Sequence, residues 1–392
     1  MVGEVDDCNC TKARLKKSQA TLYNMQKKIL ILCDWLPPDF GAVGQYAVGF
    51  ANALAEQGHK VSLFGFSSKQ SSKTEEVIGT GNVLTRRIHR NQYDRGNFIK
   101  RALWTFGANI ALLFAARRQF LSADEIRFTG SPPYLIHFVM PLAFIFRKKT
   151  RYRITDFHPE CLMATYENVP LWMKLLHRLT LAWRRQVSVI EVLGEDQKRH
   201  ILASRIPAHR VELLRDPSPI IFTLDHVAAT VPASLLGRKI ILYSGNWGVA
   251  HDHLTFVDGF ELFCRQYPDH AGVWLNATGG RADQVEAELT ERGLPFVRTR
   301  PVPLEQLPAV LLAADVHLIS LVDRFVGYVL PSKVYACIAS NKPILFIGSR
   351  DSDVHLLSER ARNVNSYQQV SVGDTKQVQT ALETLLKFAD NR

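Results

Sequence analysis

The sequence predicts an α/β protein of two doubly wound parallel-sheet domains, and three observations carry that prediction. Residues 27–66 and 237–280 open alike, each with an apolar strand, a glycine-containing loop, a helical pattern and a second strand. After the second opening, strands and helices keep alternating, as they do where crossover helices cover both faces of a parallel sheet. Between the two lies a Pro-rich join of mixed character near residues 216–236.

In the first opening, KKILILCDWLPPDFGAVGQYAVGFANALAEQGHKVSLFGF, the apolar run Ile29–Cys33 reads as a buried strand. A Pro/Gly loop follows, then a helix over about residues 45–55, a stop at Gly58 and a strand over 61–66. In the second, GRKIILYSGNWGVAHDHLTFVDGFELFCRQYPDHAGVWLNATGG, the order recurs as strand 240–244, loop 245–248, helix 253–266 and strand 273–277. Beyond it the pattern predicts a helix at 281–292, a strand at 296–298, a helix at 304–313 and a strand at 316–321. A helix capped at Ser332 and a strand at 344–347 come next. The expected division is a disordered tail, residues 1–26, then domains 27–220 and 221–392, with the last helix free to cross back to the first domain.

The 392 residues are 46% hydrophobic and 22% charged, an ordinary composition for a soluble chain of two or three domains. Six scattered cysteines without a CxxC pair point to reduced thiols in a cytosolic protein. Cys8 and Cys10 have no His or Cys nearby to complete a metal site. The N-terminus has no apolar segment of the kind a signal peptide carries. The longest apolar run, Pro133–Phe146, holds 14 residues with His137 and Pro141, and reads as a buried or interfacial segment. Charge is lopsided: residues 1–220 hold 32 Lys and Arg against 19 Asp and Glu, leaving 16 against 18 in the rest. A basic half suits nucleic acid, an anionic membrane or an anionic substrate. No nucleic-acid-reading module is present and the cations are not gathered in one run, so no nucleic-acid partner is expected.

Candidate site residues collect where strands hand over to helices. GAVG brings Gly41 and Gly44, which would let backbone approach a phosphate at a helix N-terminus. GNWG brings Gly245, Asn246 as a polar tip and Trp247 as a stacking face, and ATGGRAD brings Arg281, a phosphate partner by type. GYVLPSKVYACIAS brings Gly327, Ser332, Lys333 and Tyr335. A cation in a first helical turn is mildly unfavourable, so Lys333 reads either as a solvated side chain or as the partner of an anion. Each junction alone is common in α/β proteins; three near one sheet edge make a phosphate site the better reading. In RITDFHPE a strand end carries Asp156, His158 and Glu160, with His158 a candidate proton shuttle or hydroxyl ligand.

From residue 27 onward the chain resembles the GT-B glycosyltransferases of family 4, in the branch that builds bacterial surface polysaccharides. The resemblance rests on LPPDFGAVGQYAVGFANALAEQGHKVSLF, RITDFHPE, ILYSGNWG and ISLVDRFVGYVLPSKVYACIASNKPILFIG. It implies two Rossmann-like domains facing across a cleft. The C-terminal domain would hold a nucleotide-sugar donor, UDP-linked by expectation, and the N-terminal domain a lipid-linked or oligosaccharide acceptor. It further implies retention of anomeric configuration, with no metal and no cofactor, because helix N-termini and cations would neutralise the leaving diphosphate. Carried over by place are Gly44, Gly245, Asn246, His251, Lys333 and Tyr335. Where many members place Arg and Lys, this chain has Asn246 and His251, and it lacks the Glu that holds the donor ribose. Readings kept open are a UDP-sugar 2-epimerase of the same architecture and a non-catalytic scaffold. LWMKLLHRLTLAWRR (171–185) and FIKRALWTFGANIALLFAARRQF (98–120) have the make-up of basic amphipathic helices. They are expected to give peripheral contact with an anionic membrane, at the inner face for a cytoplasmic protein.

Overall fold

Strand β1 (Lys28–Trp35) opens the fold with an exposed lysine and then five buried residues, the pattern of a strand covered on both faces. The structure, a computed structural model, describes residues 26–39, 42–91, 98–216, 218, 220–361 and 366–390. Gly41, Cys8, Cys10 and all but the last residue of the expected tail lie outside them. The chain divides into two units, Met1–Arg127 with Leu142–Thr150, and Phe128–Pro141 with Arg151–Arg392.

In the first unit, β1 is followed by α1 (Ala42–Glu56), β2 (Lys60–Ser67), β3 (Ser72–Ile78), β4 (Gly81–His89) and α2 (Phe98–Ser122). The strands lie in the order β3-β4-β2-β1. Ile31 stands opposite Leu63 in the parallel β1–β2 pair, β2 runs parallel to β4, and β3 returns antiparallel as an edge. Ala47, Ala51 and Leu54 of α1 close a core with Ile29, Ile31, Val61 and Leu63. The β3–β4 hairpin has no counterpart in the sequence prediction.

The chain then runs through β5 (Glu125–Thr129), α3 (Ile136–Ile145) and β6 (Lys149–Ile154). In the second unit follow α4 (Glu160–Met163), α5 (Leu171–Arg184), β7 (Val189–Val192), α6 (Glu195–Ala203) and β8 (Val211–Leu213). Arg151 stands opposite Val189 and Ile190 opposite Val211, both in parallel pairs.

The rest of this unit is a six-stranded sheet. Its elements are β9 (Lys239–Asn246), α7 (Leu254–Gln266), β10 (Ala271–Thr278), α8 (Gly280–Glu291), β11 (Phe296–Thr299), α9 (Leu307–Leu312) and β12 (Val316–Ser320). Then come α10 (Lys333–Ala339), β13 (Ile344–Ile347), α11 (Asp353–Ala361), β14 (Tyr367–Val370) and α12 (Thr375–Asp390). The order is β11-β10-β9-β12-β13-β14 and every adjacent pair is parallel. Phe256, Phe260 and Phe263 of α7 pack with Leu382 and Leu385 of α12 in its core. A buried polar joint ties α11 to α6. The fully buried Asp353 carboxylate accepts from Arg215 at 2.8 and 3.0 Å and from the Glu195 N–H at 3.0 Å, while its own N–H donates to Asp196 at 3.1 Å.

Several predicted boundaries shift, each for a local reason. Gly44 lies inside the first turn of α1 rather than in a loop, and Gly245 and Asn246 complete β9. The helix expected over 304–313 contracts to six residues. Ser332 precedes α10 in helical geometry with no side-chain capping bond, so its hydroxyl is not the cap that the sequence suggests.

Candidate active site

Strand order in the six-stranded sheet fixes where a ligand belongs. The crossovers reverse direction between β9 and β12, and in open parallel sheets ligands bind beyond the carboxyl ends of strands at such a switch. The segment after β9 carries Gly245–Gly248, and the segment after β12 leads to Lys333 at the start of α10.

Lys333 is the centre of that place. Its Nζ lies 3.1 Å from the centroid of the Tyr243 ring. The Nζ is buried and has no hydrogen-bond partner. Burial pushes its pKa down from the usual lysine range to about 7, outweighing the nearby Cys337 thiol, which raises it. A cation–π contact compensates only part of the hydration that an ammonium loses on burial. Lys333 is thus a buried amine left without a hydrogen-bond partner at the switch point of the sheet.

Around Lys333 the wall is aromatic. Tyr243 stacks on Trp247 at 3.7 Å between centroids and 15° between planes, and its hydroxyl donates to the Asn246 carbonyl at 3.2 Å. Trp247, expected to offer a stacking face, is fully buried instead. Its Nε1–H donates to the Asp252 carbonyl at 3.2 Å, which turns the ring inward. Gly245 adopts φ +119°, a left-handed conformation, and a Cβ built there would sit 3.8 Å from Lys333 Cε. The glycine at this place thus serves backbone conformation at the strand end facing the lysine stem.

His251 packs edge-on against Tyr243 and its Nδ1–H donates to the Ser320 carbonyl at 2.5 Å. A carbonyl only accepts, so the proton sits on Nδ1 and the neutral ring keeps Nε2 as an acceptor. Burial, then Lys333, pushes its pKa down to about 3. His251 is uncharged at neutral pH and does not replace the cation that other chains carry at this place. Asn246 is exposed. Arg281 is half-buried in the first turn of α8; its N–H donates to the Trp247 carbonyl at 3.1 Å and its guanidinium to Gln284 at 2.6 Å. The structure thus brings together Gly245, Asn246, His251, Arg281 and Lys333 around the Tyr243–Trp247 stack.

The remaining candidates fall elsewhere. Ser332 is exposed, and Tyr335 packs against the cluster formed by Phe325, Leu330 and Phe346. Gly327 donates its N–H to Asp196 in α6. Asp156 forms a bridge with Val329, and the Phe157 N–H donates to the Tyr328 carbonyl at 3.0 Å. The segment leading to Lys333 is therefore anchored on residues 156–157. Burial pushes the Asp156 carboxyl up to about 6. The His158 ring stands 5.7 Å from the Tyr134 ring, and its carbonyl accepts from Arg184 at 3.1 Å. Gly44, in the other unit, has a packing reason of its own: a Cβ there would lie 1.8 Å from the Trp35 carbonyl oxygen.

Glu160, which the sequence places at the same strand end, does not stand free. It is buried against fully buried Arg184, with His177 and His200 Nε2 at 3.3 and 3.5 Å from its Oε1. Burial raises its pKa, but Arg184 and the histidines outweigh burial and hold it well below the usual range. Sequence reasoning missed Tyr243, whose only signal was an aromatic two residues before the glycine turn, and missed Arg184 as the partner of Glu160. Among the described residues no group of three or more His, Cys, Asp or Glu is placed to hold a metal ion.

Solved structures match this chain over nearly its whole length. Anabaena HepE, in complex with UDP and glucose, is 13% identical, covers 93% of this chain and 93% of its own, and has a TM-score of 0.60. The UDP-forming α,α-trehalose-phosphate synthase of Burkholderia vietnamiensis is 14% identical over 92% of this chain and 96% of its own, with a TM-score of 0.57. The fold is GT-B. A Listeria monocytogenes protein provisionally assigned as a UDP-N-acetylglucosamine 2-epimerase is also similar, at 8% identity, 94% and 92% coverage and a TM-score of 0.52. No family model and no curated protein matches the chain.

Proposed function

We propose that this protein is a retaining, metal-independent glycosyltransferase. It would move a sugar from a nucleotide diphosphate sugar, UDP-linked, to a lipid-linked or oligosaccharide acceptor in surface polysaccharide synthesis, working at a membrane surface. The observation that carries the reading is Lys333: a buried ammonium without a hydrogen-bond partner, at the switch point of a parallel sheet, in a fold whose neighbours bind UDP. A diphosphate there would receive a charge-assisted bond from Nζ, and Arg281 would add a second cation after leaving Gln284. As the glycosidic bond to the donor breaks, negative charge grows on the leaving phosphate, and a fixed cation stabilises that charge without reorganisation. Neutral His251 offers Nε2 as an acceptor for a hydroxyl. In retaining transfer the leaving phosphate can take the acceptor proton, so Asp156 and His158 are assigned to holding the acceptor or sugar rather than to an obligatory base.

The test is thermal-shift titration with UDP, GDP, dTDP and their sugars on the wild type and on Lys333→Ala. Stabilisation by one nucleotide family, weakened in the variant, is the expected result. No shift with any nucleotide would overturn the reading. The 2-epimerase alternative, favoured by the Listeria neighbour, differs in one respect: it converts the UDP-sugar with no acceptor present.

A further inference from the structure

The strands around the Lys333 site change character shortly before they end. In the parallel register Leu242, Trp274 and Val297 stand side by side on β9, β10 and β11, in one apolar cluster with Ala336 of α10. Two residues further along, on the same face, the row is Ser244, Asn276 and Thr299. The apolar face thus gives way to a polar row near the carboxyl edge of the sheet, on the side of the helix that Lys333 begins. Gly245, where a Cβ would lie 3.8 Å from Lys333 Cε, directly follows Ser244.

Within that row Asn276 is left over. It is 1% exposed, and neither its Oδ1 nor its Nδ2 has a hydrogen-bond partner. Thr299 Oγ1 accepts instead from the Trp274 Nε1–H at 2.9 Å. Ser244, directly across from Asn276, is partly exposed, so the row meets the outside there. A leucine at 276 would simply continue the apolar face below it, whereas a buried amide with both groups unmet weakens a fold unless a partner meets it. Chemistry narrows the partner. Oδ1 accepts and Nδ2 donates side by side, and two vicinal hydroxyls can do both in return. On a nucleotide whose diphosphate lies at Lys333, the next group along is the ribose, ahead of the base.

We propose that Asn276 holds the ribose hydroxyls of the donor nucleotide, reached past Ser244, its amide accepting from one hydroxyl and donating to its neighbour. The inference rests on the nucleotide-sugar reading of the Lys333 site and adds a residue that selects ribonucleotides over deoxyribonucleotides. Calorimetric affinities are compared for UDP, 2′-deoxy-UDP and 3′-deoxy-UDP on the wild type and on Asn276→Leu, beside the melting temperatures of the unliganded proteins. The wild type is expected to bind UDP roughly tenfold or more tightly than at least one deoxy analogue, because a missing hydroxyl leaves the buried amide unpaired. In Asn276→Leu, UDP is expected to weaken to the level of the analogues, while the unliganded melting temperature holds or rises. Asn276→Ala, which removes the amide without adding bulk, gives the same comparison if the leucine variant does not fold. Equal wild-type affinity for UDP and both analogues would overturn the proposal and leave the donor reading standing. So would discrimination that persists unchanged in the variant, whether its preference among bases shifts, which puts the amide on the base, or its melting temperature falls, which makes the amide structural. Failure of every nucleotide to bind would overturn the donor reading and this inference together.

Discussion

Replacing Lys333 by methionine should separate what the lysine costs the fold from what it gives to a ligand. The side chain keeps its length and loses its charge, so contact with Tyr243 is retained in kind. A pKa lowered from 10.5 to about 7 marks a native site that disfavours the ammonium. The shift corresponds to an upper figure of roughly 5 kcal/mol for holding the charge, at 1.36 kcal/mol per unit. The sign follows from proton counting: between about pH 7 and 10.5 the unfolded chain holds a proton that the native site releases, so stability rises with pH through that window. Removing the ammonium is therefore expected to leave the unliganded protein as stable at pH 7 or more stable. Each kcal/mol gained is read as about 2–4 °C in a unit of this size. UDP should behave oppositely. Loss of a charge-assisted bond of about 1.5–3 kcal/mol weakens binding by roughly ten- to a hundredfold. The assay is differential scanning fluorimetry with and without UDP, backed by calorimetric affinities. A variant that melts several degrees lower yet binds UDP as tightly as the wild type would refute the reasoning, because Lys333 would then be a structural cation.

Other expectations follow from the packing. Gly44→Ala drives a methyl into the Trp35 carbonyl, a clash that must move α1, and costs about 3 kcal/mol or more; an unchanged denaturant midpoint would show that the helix start yields freely. Arg184→Ala leaves the buried Glu160 carboxylate without its cation and costs about 3–5 kcal/mol at pH 7. Because Glu160 titrates below its unfolded value of 4.5, the pair stabilises the native state above that pH and is lost on acidification. The deficit of the variant is thus expected to shrink as pH falls below 4.5 in urea titrations.

Much of the six-stranded sheet was legible because buried parallel strands are short unbroken apolar runs: the strand expected over 344–347 matches β13, and 240–244 lies within β9. The β3–β4 hairpin escaped because β3, SKTEEVI, is polar and almost wholly exposed, so no period-two pattern marks it. At the site, residue types at strand ends announced a phosphate locus. They did not say that Trp247 turns inward, that His251 is neutral, or that Glu160 spends its charge on Arg184. The states of His251 and Glu160 depend on contacts between residues tens of positions apart, which local pattern does not encode.

The measurement that tests Lys333 most directly as the diphosphate ligand is proton uptake on binding UDP at pH 8, by calorimetry in two buffers of different ionisation enthalpy. With a pKa of about 7 the free lysine is mostly neutral there, and a bound diphosphate restores its proton. The predicted result is uptake of close to one proton per UDP in the wild type and none in Lys333→Met. Binding without uptake, or equal uptake in the variant, would contradict it.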